Sequence, residues 1–243
     1  MGAIEEGQAF WNQFATEYYD IQQESFTTIV EDLTRYLLEI EVLPCATFVD
    51  IAGGYGKYLQ RFAEYAVDCV LVDFSSSMIA LAKEKLTAQN IQFVKTDQMT
   101  FCMNSRDNQY DVVFSAMNPA LKTIEQLNEL YRVTKKELLL VHVAVDEDDI
   151  FTPIEQTIKQ EAAKEPTFKM FKQWLIDSKY AWTNQFFHYQ QEERVTKAFV
   201  KNYFEAERIQ FPEINQLIDH LFAGQEQQVS HHHIHFELLR IMK

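Results

Sequence analysis

Glycine is concentrated at one point of this sequence. Three of its six glycines, Gly53, Gly54 and Gly56, fall within four consecutive positions. The apolar run 48–51 before them predicts a short buried strand, and residues 57–65 after them predict a helix. Glycine is favoured where the backbone must turn tightly and admit a ligand, because a Cβ atom would obstruct both. A strand, a glycine loop and a helix in this order predict a nucleotide-type binding site.

The chain after this first strand continues to alternate strand and helix. Helical patterns at 76–87 and 123–133 lie between runs rich in Val, Ile, Leu and Phe. These runs predict strands at 47–51, 69–72, 91–94, 111–114 and 138–145. They are nearly continuous rather than alternating in polarity, which is typical of strands covered on both faces. The alternation predicts an α/β fold with a doubly wound, mostly parallel sheet.

The rest of the chain predicts additions to this sheet. Residues 1–46 predict a helical N-terminal cap, and 47–146 form the predicted core. The aromatic-rich stretch 147–193 shows no strand pattern and predicts a helical insert before the last two strands. Residues 194–243 predict the end of the sheet, with strands at 208–211 and 229–242, the last one antiparallel.

Charge and cysteine content narrow the function classes. The formal net charge is −14, and such a surface repels a phosphate backbone, so we expect no nucleic-acid partner. Three cysteines without metal or redox spacing, Cys45, Cys69 and Cys102, are typical of a reducing, cytoplasmic protein. No apolar run approaches the roughly 20 residues of a membrane span. We therefore expect a cytoplasmic protein with no membrane partner. The oligomeric state is left open.

The glycine loop departs from two phosphate-binding patterns. A dinucleotide fingerprint, G-x-G-x-x-G, would need a glycine where this chain has Leu59. A P-loop would need Ser or Thr after Gly56-Lys57, and this chain has Tyr58. A nicotinamide oxidoreductase is thereby disfavoured. The remaining interpretation is a loop that opens with a carboxylate, Asp50, and holds a ligand without phosphates.

The loop resembles a known motif. Residues 50–56 resemble the D-x-G-x-G-x-G motif of class I S-adenosylmethionine-dependent methyltransferases, with Ala52 in place of the first glycine. Residues 70–75 and 93–99 resemble that family's second and third strand segments, and 110–115 and 130–141 resemble later ones. The resemblance implies a Rossmann-like fold and S-adenosyl-L-methionine as cofactor. It also implies a set of cofactor-binding residues: Tyr19, Asp50, Ala52, Gly53, Gly54, Gly56, Asp73, Phe74, Met78, Asp97, Gln98, Met99 and Ser115.

The two acids that end strands have specific roles in this resemblance. Asp73 would bind the ribose diol, which suits a carboxylate because it accepts two hydroxyl hydrogen bonds. Asp97 would accept from the adenine N6 amine. Taken alone, Asp73 could instead cap the following helix, and Asp97 could be an ordinary loop acid. Their order and spacing behind the glycine loop favour the binding roles.

The N-terminal helix carries a further resemblance. Residues 10–20 resemble the "FW…A…YD" segment that precedes the core of many small-molecule methyltransferases. In that segment the tyrosine matched by Tyr19 helps to cover the methionine end of the cofactor. Trp11, Phe14 and Tyr18 are interpreted as a core-packing face of the same helix.

The predicted insert is where this family commonly places its substrate lid. Four aromatic residues there are candidates to line an apolar acceptor pocket: Trp174, Trp182, Phe186 and Tyr189. His142 and His188 are the candidate general bases. Histidines and aromatic residues in such positions are more often structural, and that alternative stays open for all six.

Two other patterns have simpler interpretations. Asn118-Pro119 resembles part of an amino-binding N-P-P-Y motif but lacks its second half, and it is interpreted as a turn. His231, His233 and His235 would share one face of a strand, where three imidazoles could bind a metal ion. An exposed strand end is the favoured interpretation, so we expect no metal.

The sequence thus predicts methyl transfer from S-adenosylmethionine to a small-molecule acceptor. Alignment of the reacting centres and exclusion of water would supply most of the catalysis. Two alternatives remain: a protein that binds S-adenosylmethionine or S-adenosylhomocysteine without turnover, and a protein methyltransferase.

Overall fold

The structure is a computed structural model that describes residues 3–158, 167–206 and 212–243. Its strands are β1 (Cys45–Ile51), β2 (Ala66–Asp73), β3 (Ile91–Lys95), β4 (Tyr110–Ala116), β5 (Thr134–Asp148), β6 (Ala181–Thr196) and β7 (Gln227–Met242). Its α-helices are α1 (Ala3–Gln23), α2 (Ile29–Glu39), α3 (Leu59–Phe62), α4 (Ser76–Lys85), α5 (Gln98–Met103), α6 (Ile124–Val133), α7 (Phe151–Ile158), α8 (Thr167–Asp177), α9 (Lys197–Ala206) and α10 (Pro212–Leu221). A short 3₁₀ helix, Ala63–Tyr65, follows α3.

The strands form one seven-stranded sheet in the order β3-β2-β1-β4-β5-β7-β6. The pairs β1/β2, β1/β4, β2/β3 and β4/β5 are parallel, and β7 introduces antiparallel pairing at the far end. Val49 of β1 is opposite Val70 on one side and Val113 on the other. The predicted α/β, mostly parallel, doubly wound sheet with an antiparallel last strand is confirmed.

The strand order creates a ligand site at one edge of the sheet. The chain runs outward from β1 to β2 and β3, and then returns to the other side of β1 as β4. Ligands in open α/β sheets bind beyond the carboxyl ends of the strands at this point of reversal. The fold therefore predicts a ligand site at the carboxyl ends of β1 and β4.

The central strands are buried on both faces, which explains their continuous apolar sequences. Val49, Ile51 and Val113 pack with the inward residues of α5, α6 and α8. On the other face, Phe48 lies 5.3 Å from Phe62 and 5.8 Å from Phe114 between ring centroids. An alternating polar pattern would place polar groups in one of these two cores.

The chain divides into two compact units. The first comprises Met1–His142, Glu165–Gln185 and Glu237–Lys243, and the second comprises Val143–Lys164 and Phe186–Phe236. The second unit has an apolar core of its own, which includes Ile154, Phe204 and Phe222. Among the described residues, no helix combines the length and apolar character needed to cross a bilayer.

The prediction of a wholly helical insert over 147–193 is wrong in its second half. Helices α7 and α8 form, but β6 begins at Ala181 and continues to Thr196. In β6 the half-buried Gln185, Phe187 and Tyr189 alternate with exposed residues, which is the period of a strand. Aromatic residues are so frequent there that some of them fall at helical spacing by chance. Aromatic residues also favour strands, and that signal was missed. The strand predicted at 208–211 lies outside the described residues.

Candidate functional site

A cavity of about 230 Å³ opens at the carboxyl edge of β1 to β4 in the first unit. The glycine loop forms one wall, the segments after β2 and β3 a second, and the turn after β4 a third. Residues of α1 cover it. The cavity brings together most of the cofactor residues predicted from sequence: Asp50, Ala52, Gly53, Gly54, Asp73, Phe74, Met78, Asp97, Gln98 and Met99.

The glycine loop has the backbone geometry that its sequence requires. Gly54 and Gly56 have φ values of +57° and +82°, in the left-handed region. A Cβ atom on Gly53 would lie 2.7 Å from the carboxyl carbon of Asp50, and one on Gly56 would lie 2.5 Å from Leu86 Cδ1. Ala52 also has a positive φ, +56°, which costs an alanine about 1 kcal/mol relative to glycine. The backbone at Ala52, where the motif has glycine, is therefore strained.

Asp73 anchors the loop at the end of β2. Its Oδ2 accepts from the Gly54 amide at 2.9 Å and its Oδ1 from the Ser75 amide at 2.8 Å. Burial raises the pKa of Asp73, and the backbone hydrogen bonds from Ser75 and Gly54 oppose that rise. Each carboxylate oxygen has a further lone pair, and Asp73 lines the cavity. The arrangement suits two neighbouring hydroxyl groups on a ligand. Helix α4 is capped by Ser75, which excludes the capping alternative for Asp73.

Asp50 is the most unusual group in the cavity. It is 1% exposed, and its Oδ2 has no hydrogen-bond partner among the described residues. Burial, reinforced by the nearby charge of Asp73, raises the pKa of Asp50 well above its ordinary value. A buried carboxylate oxygen without a partner is costly. Such a group is ready to accept a hydrogen bond from a ligand donor.

The segment after β3 holds Asp97 and Gln98 in different ways. Asp97 caps α5 by accepting from the Thr100 amide at 3.0 Å. Partial burial would raise the pKa of Asp97, but the hydrogen bonds from Thr100 outweigh it and hold this pKa below its usual range. Gln98 is buried and accepts from Asn118 Nδ2 at 2.8 Å. Asp97 is thus an ionised acceptor on the cavity wall as well as a helix cap.

Several lining residues were not predicted as ligand contacts. Trp11 and Tyr18 of α1 line the cavity and also pack against Tyr55 and Met78. Lys57 and the turn residue Asn118 line it as well. The seven-residue spacing of Trp11 and Tyr18 places both on one face of α1, but the sequence does not say that this face covers a cavity.

Residues 48–137 match a family model described as a methyltransferase domain. This stretch of the chain is therefore similar to a methyltransferase domain. The matched range contains the glycine loop, both strand-end acids and β4, so it coincides with the sheet edge around the cavity.

Solved structures show the same fold for most of the chain. A candidate methyltransferase of Bacillus halodurans C-125 is 16% identical, with a TM-score of 0.54 over 86% of this chain and 97% of that one. A candidate type II methyltransferase of Anaeromyxobacter dehalogenans is 15% identical, with a TM-score of 0.54 over 86% and 94%. A candidate S-adenosyl-L-methionine-dependent methyltransferase of Methanococcus maripaludis is 15% identical, with a TM-score of 0.55 over 72% and 87%. No curated protein matches the sequence.

Three of the predicted cofactor residues, Tyr19, Gly56 and Ser115, are not among the described residues that line the cavity. Gly56 closes the loop by donating to the Gly53 carbonyl at 2.9 Å. Ser115 donates to the Ile51 carbonyl at 3.0 Å and so joins β4 to β1. The Tyr19 ring lies 5.0 Å from Tyr55, edge to face. Tyr18, rather than Tyr19, is the tyrosine of this segment that faces the cavity.

The candidate base His142 belongs to a separate polar cluster in the first unit. Its Nε2 lies 3.0 Å from Oε2 of the buried Glu237, and its ring stacks on Phe168 at 3.6 Å. Lys172 and Asn184 complete the hydrogen bonds to Glu237. His142 is not among the described residues that line the cavity, and its role as a base stays a prediction.

The other predicted acceptor residues divide between the two units. Trp174 and Trp182 pack against the core of the first unit, with the Trp174 ring 5.0 Å from Tyr180. In the second unit, Tyr189 packs on Phe236, and Phe186 is exposed. His188, in the same unit, lies 4.3 Å from His235 between ring centroids. Their contact with an acceptor stays a prediction.

Two histidines of strand β7 lie beside carboxylates of the segment that ends β5. His231 Nδ1 lies 2.8 Å from Asp149 Oδ2, and His232 Nε2 lies 2.7 Å from Asp146 Oδ1. Within residues 3–158, 167–206 and 212–243, no group of three His, Cys, Asp or Glu side chains is arranged to hold a metal ion. The structure therefore gives no support to a site at His231, His233 and His235.

Proposed function

We propose that this protein binds S-adenosyl-L-methionine at the β1–β4 edge and transfers its methyl group to a small-molecule acceptor. The proposal rests above all on the surroundings of one acid, Asp73. It is a buried carboxylate, held by the Gly54 and Ser75 amides, that keeps acceptor capacity toward the cavity. A phosphate at this point would be repelled, whereas a ribose diol would be bound.

The remaining walls fit the other parts of the cofactor. Asp97 can accept from the adenine amine, and Phe74 and Met99 supply apolar surface beside it. The unpartnered Oδ2 of Asp50 can accept from a donor such as an ammonium group. Gly53 cannot carry a side chain because a Cβ atom would meet the Asp50 carboxyl group. These observations support S-adenosylmethionine over a dinucleotide.

The protein's own contribution would be alignment and exclusion of water. When bound, the cofactor supplies a methyl group on a sulfonium centre, and the rest of the cofactor is the leaving group, as a neutral thioether. Trp11 and Tyr18 of α1 cover the cavity, and the fixed glycine loop would hold the reacting end in one orientation. Orientation and desolvation of this kind can supply much of the acceleration of an in-line displacement.

A small acceptor is favoured by the size and charge of the protein. The cavity holds about 230 Å³, and the net charge of −14 disfavours nucleic acid. A protein acceptor and a binding role without turnover are the alternatives. His142, His188 and the four aromatic residues Trp174, Trp182, Phe186 and Tyr189 remain candidates for contact with the acceptor.

Calorimetric titration with S-adenosylmethionine, S-adenosylhomocysteine and NAD tests the cofactor assignment. We expect both adenosyl ligands to bind and NAD not to bind. The Asp73→Asn variant should lose about 100-fold in affinity, because a buried hydrogen-bonded charge is removed. Asp68→Asn is the matched control, since Asp68 is an exposed carboxylate of the same strand. Unchanged affinity in folded Asp73→Asn would contradict the site.

Release of S-adenosylhomocysteine tests turnover. The protein is incubated with S-adenosylmethionine and, in separate reactions, with small amines, small phenols and a basic peptide. Product with a small acceptor supports the proposal, and product with the peptide alone supports protein methylation. Tight cofactor binding without product from any of them favours the binding role.

A further inference from the structure

Lys57 stands directly after the glycine loop and has no role in the site described so far. Of the described residues that line the cavity, it alone is a lysine or arginine. Its side chain is half-buried, and its ammonium donates to Gln22 Oε1 of α1 at 2.8 Å. A lysine ammonium has three donors, so this single neutral partner leaves capacity for more.

Other half-buried cations of the first unit are neutralised by carboxylates. Arg132 lies 2.7 Å from Asp107, and Arg240 lies 2.7 Å from Glu137. Lys172 lies 2.7 Å from Glu237. Lys57 forms no ion pair with a described carboxylate, although acidic residues outnumber basic ones by 36 to 22 in this chain. Burial lowers the pKa of Lys57, and the more distant charge of Glu31 offsets this in part.

The described cavity lining combines one cation with three carboxylates. Asp50 lies in β1, Asp73 ends β2, and Asp97 follows β3; these carboxylates favour hydroxyl and amine donors. The Lys57 ammonium favours an anion, and Gln22 of α1 accepts a hydrogen bond from this ammonium. A partly desolvated ammonium interacts with an anion much more strongly than one in bulk water.

We propose that Lys57 is the anchor for a carboxylate group on a ligand of this cavity. The proposal rests on the proposed function and refines it. The carboxylate has two sources: the amino-acid end of the cofactor, or an acidic acceptor. Both use the same chemistry at Lys57, and the test separates them.

The first arm compares two adenosyl thioethers by calorimetry. S-adenosylhomocysteine has the amino-acid carboxylate, and 5′-methylthioadenosine does not. If the cofactor is the source, Lys57→Met should weaken S-adenosylhomocysteine about 10- to 100-fold, the range of a charge-assisted hydrogen bond. Methylthioadenosine should be unaffected, and Lys57→Arg should retain most of the affinity. Lys83→Met is the matched control, because Lys83 is exposed on α4.

The second arm uses protein saturated with S-adenosylhomocysteine and titrates benzoate and benzamide, which differ in charge but not in shape. If an acceptor is the source, benzoate binds more tightly than benzamide, and Lys57→Met removes that preference. Equal losses for both thioethers in Lys57→Met would show a structural role and overturn the proposal. An unchanged variant in both arms would also overturn it. Failure of the wild-type protein to bind either thioether would instead overturn the proposed function.

Discussion

Two buried carboxylates of the first unit have opposite surroundings. Glu237 of β7 is 2% exposed and accepts from Lys172 at 2.7 Å and from Asn184 at 2.8 Å, with His142 at 3.0 Å. Asp50 of β1 is 1% exposed, yet its Oδ2 has no partner among the described residues. The two acids are equally hidden from water, but only one of them is satisfied by the protein.

The pKa values of these two acids move in opposite directions. Burial raises the pKa of Asp50, and the charge of Asp73 adds to the rise. Burial acts in the same sense on Glu237, but the hydrogen bonds from Lys172, Asn184 and His142 outweigh it and lower its pKa. Breaking a satisfied buried pair destabilises a protein, whereas an unsatisfied buried charge costs stability and is kept where a ligand completes it. We infer that Glu237 serves stability and that Asp50 serves binding.

The largest expected effect is on the Glu237 cluster. Glu237→Ala should destabilise the protein by about 3 kcal/mol, because Lys172 is left partly buried without its counter-charge. Urea denaturation measures this, with exposed Glu84→Ala as the control, expected to change stability by less than about 0.5 kcal/mol. Binding of S-adenosylhomocysteine should be unchanged. A stable Glu237→Ala variant with lost binding would reverse the assignment of the two acids.

The pH dependence of stability sharpens the same contrast. The folded-state pKa of Glu237 is lowered, so its contribution is fully present above its ordinary value of 4.5 and is lost as pH falls toward the lowered pKa. Wild-type protein should therefore lose stability below about pH 4.5 more steeply than Glu237→Gln does. Denaturation midpoints measured across pH 3 to 7 check this. Parallel curves for the two proteins would contradict it.

The contribution of Asp50 to stability should change with pH in the opposite direction. Its folded-state pKa is raised above the ordinary 3.8, so ionisation in the folded state costs stability as pH rises through that window. Asp50→Asn should consequently be more stable than wild type at pH 7, by about 1 kcal/mol, and should bind S-adenosylhomocysteine more weakly. Denaturation and calorimetry on the same samples measure both. A destabilised variant with normal affinity would remove Asp50 from the site.

The smallest expected effect is at Ala52. Its φ of +56° favours glycine, so Ala52→Gly should stabilise the protein by about 0.5 to 1 kcal/mol. Ala63→Gly is the matched control, because Ala63 has an ordinary φ of −63° and should be destabilised by a similar amount. Thermal denaturation of both variants measures the difference. Equal destabilisation would show that the loop is not strained at Ala52.

The parts of the fold that follow local patterns could be predicted. Strands β1 to β5 have continuous apolar sequences because both of their faces are covered. The closely spaced glycines indicate a tight loop, because few other backbone conformations require glycine at that spacing. Asp73 and Asp97 could be placed because Asp73 ends β2 and Asp97 comes shortly after β3, and both strand ends lie at the binding edge. Strand β6 was missed because dense aromatic residues satisfy both helical and strand periods.

The sequence by itself determined the doubly wound sheet, the position of the ligand loop and the acids at the strand ends, because these depend on residue order within a few turns of chain. Only the tertiary structure decided which α1 residues cover the cavity, that Gln22 meets Lys57, and that Glu237 is satisfied while Asp50 is not. Those contacts join residues far apart in the chain. A side chain's burial and partners depend on which elements pack together, and local periodicity carries no record of that choice.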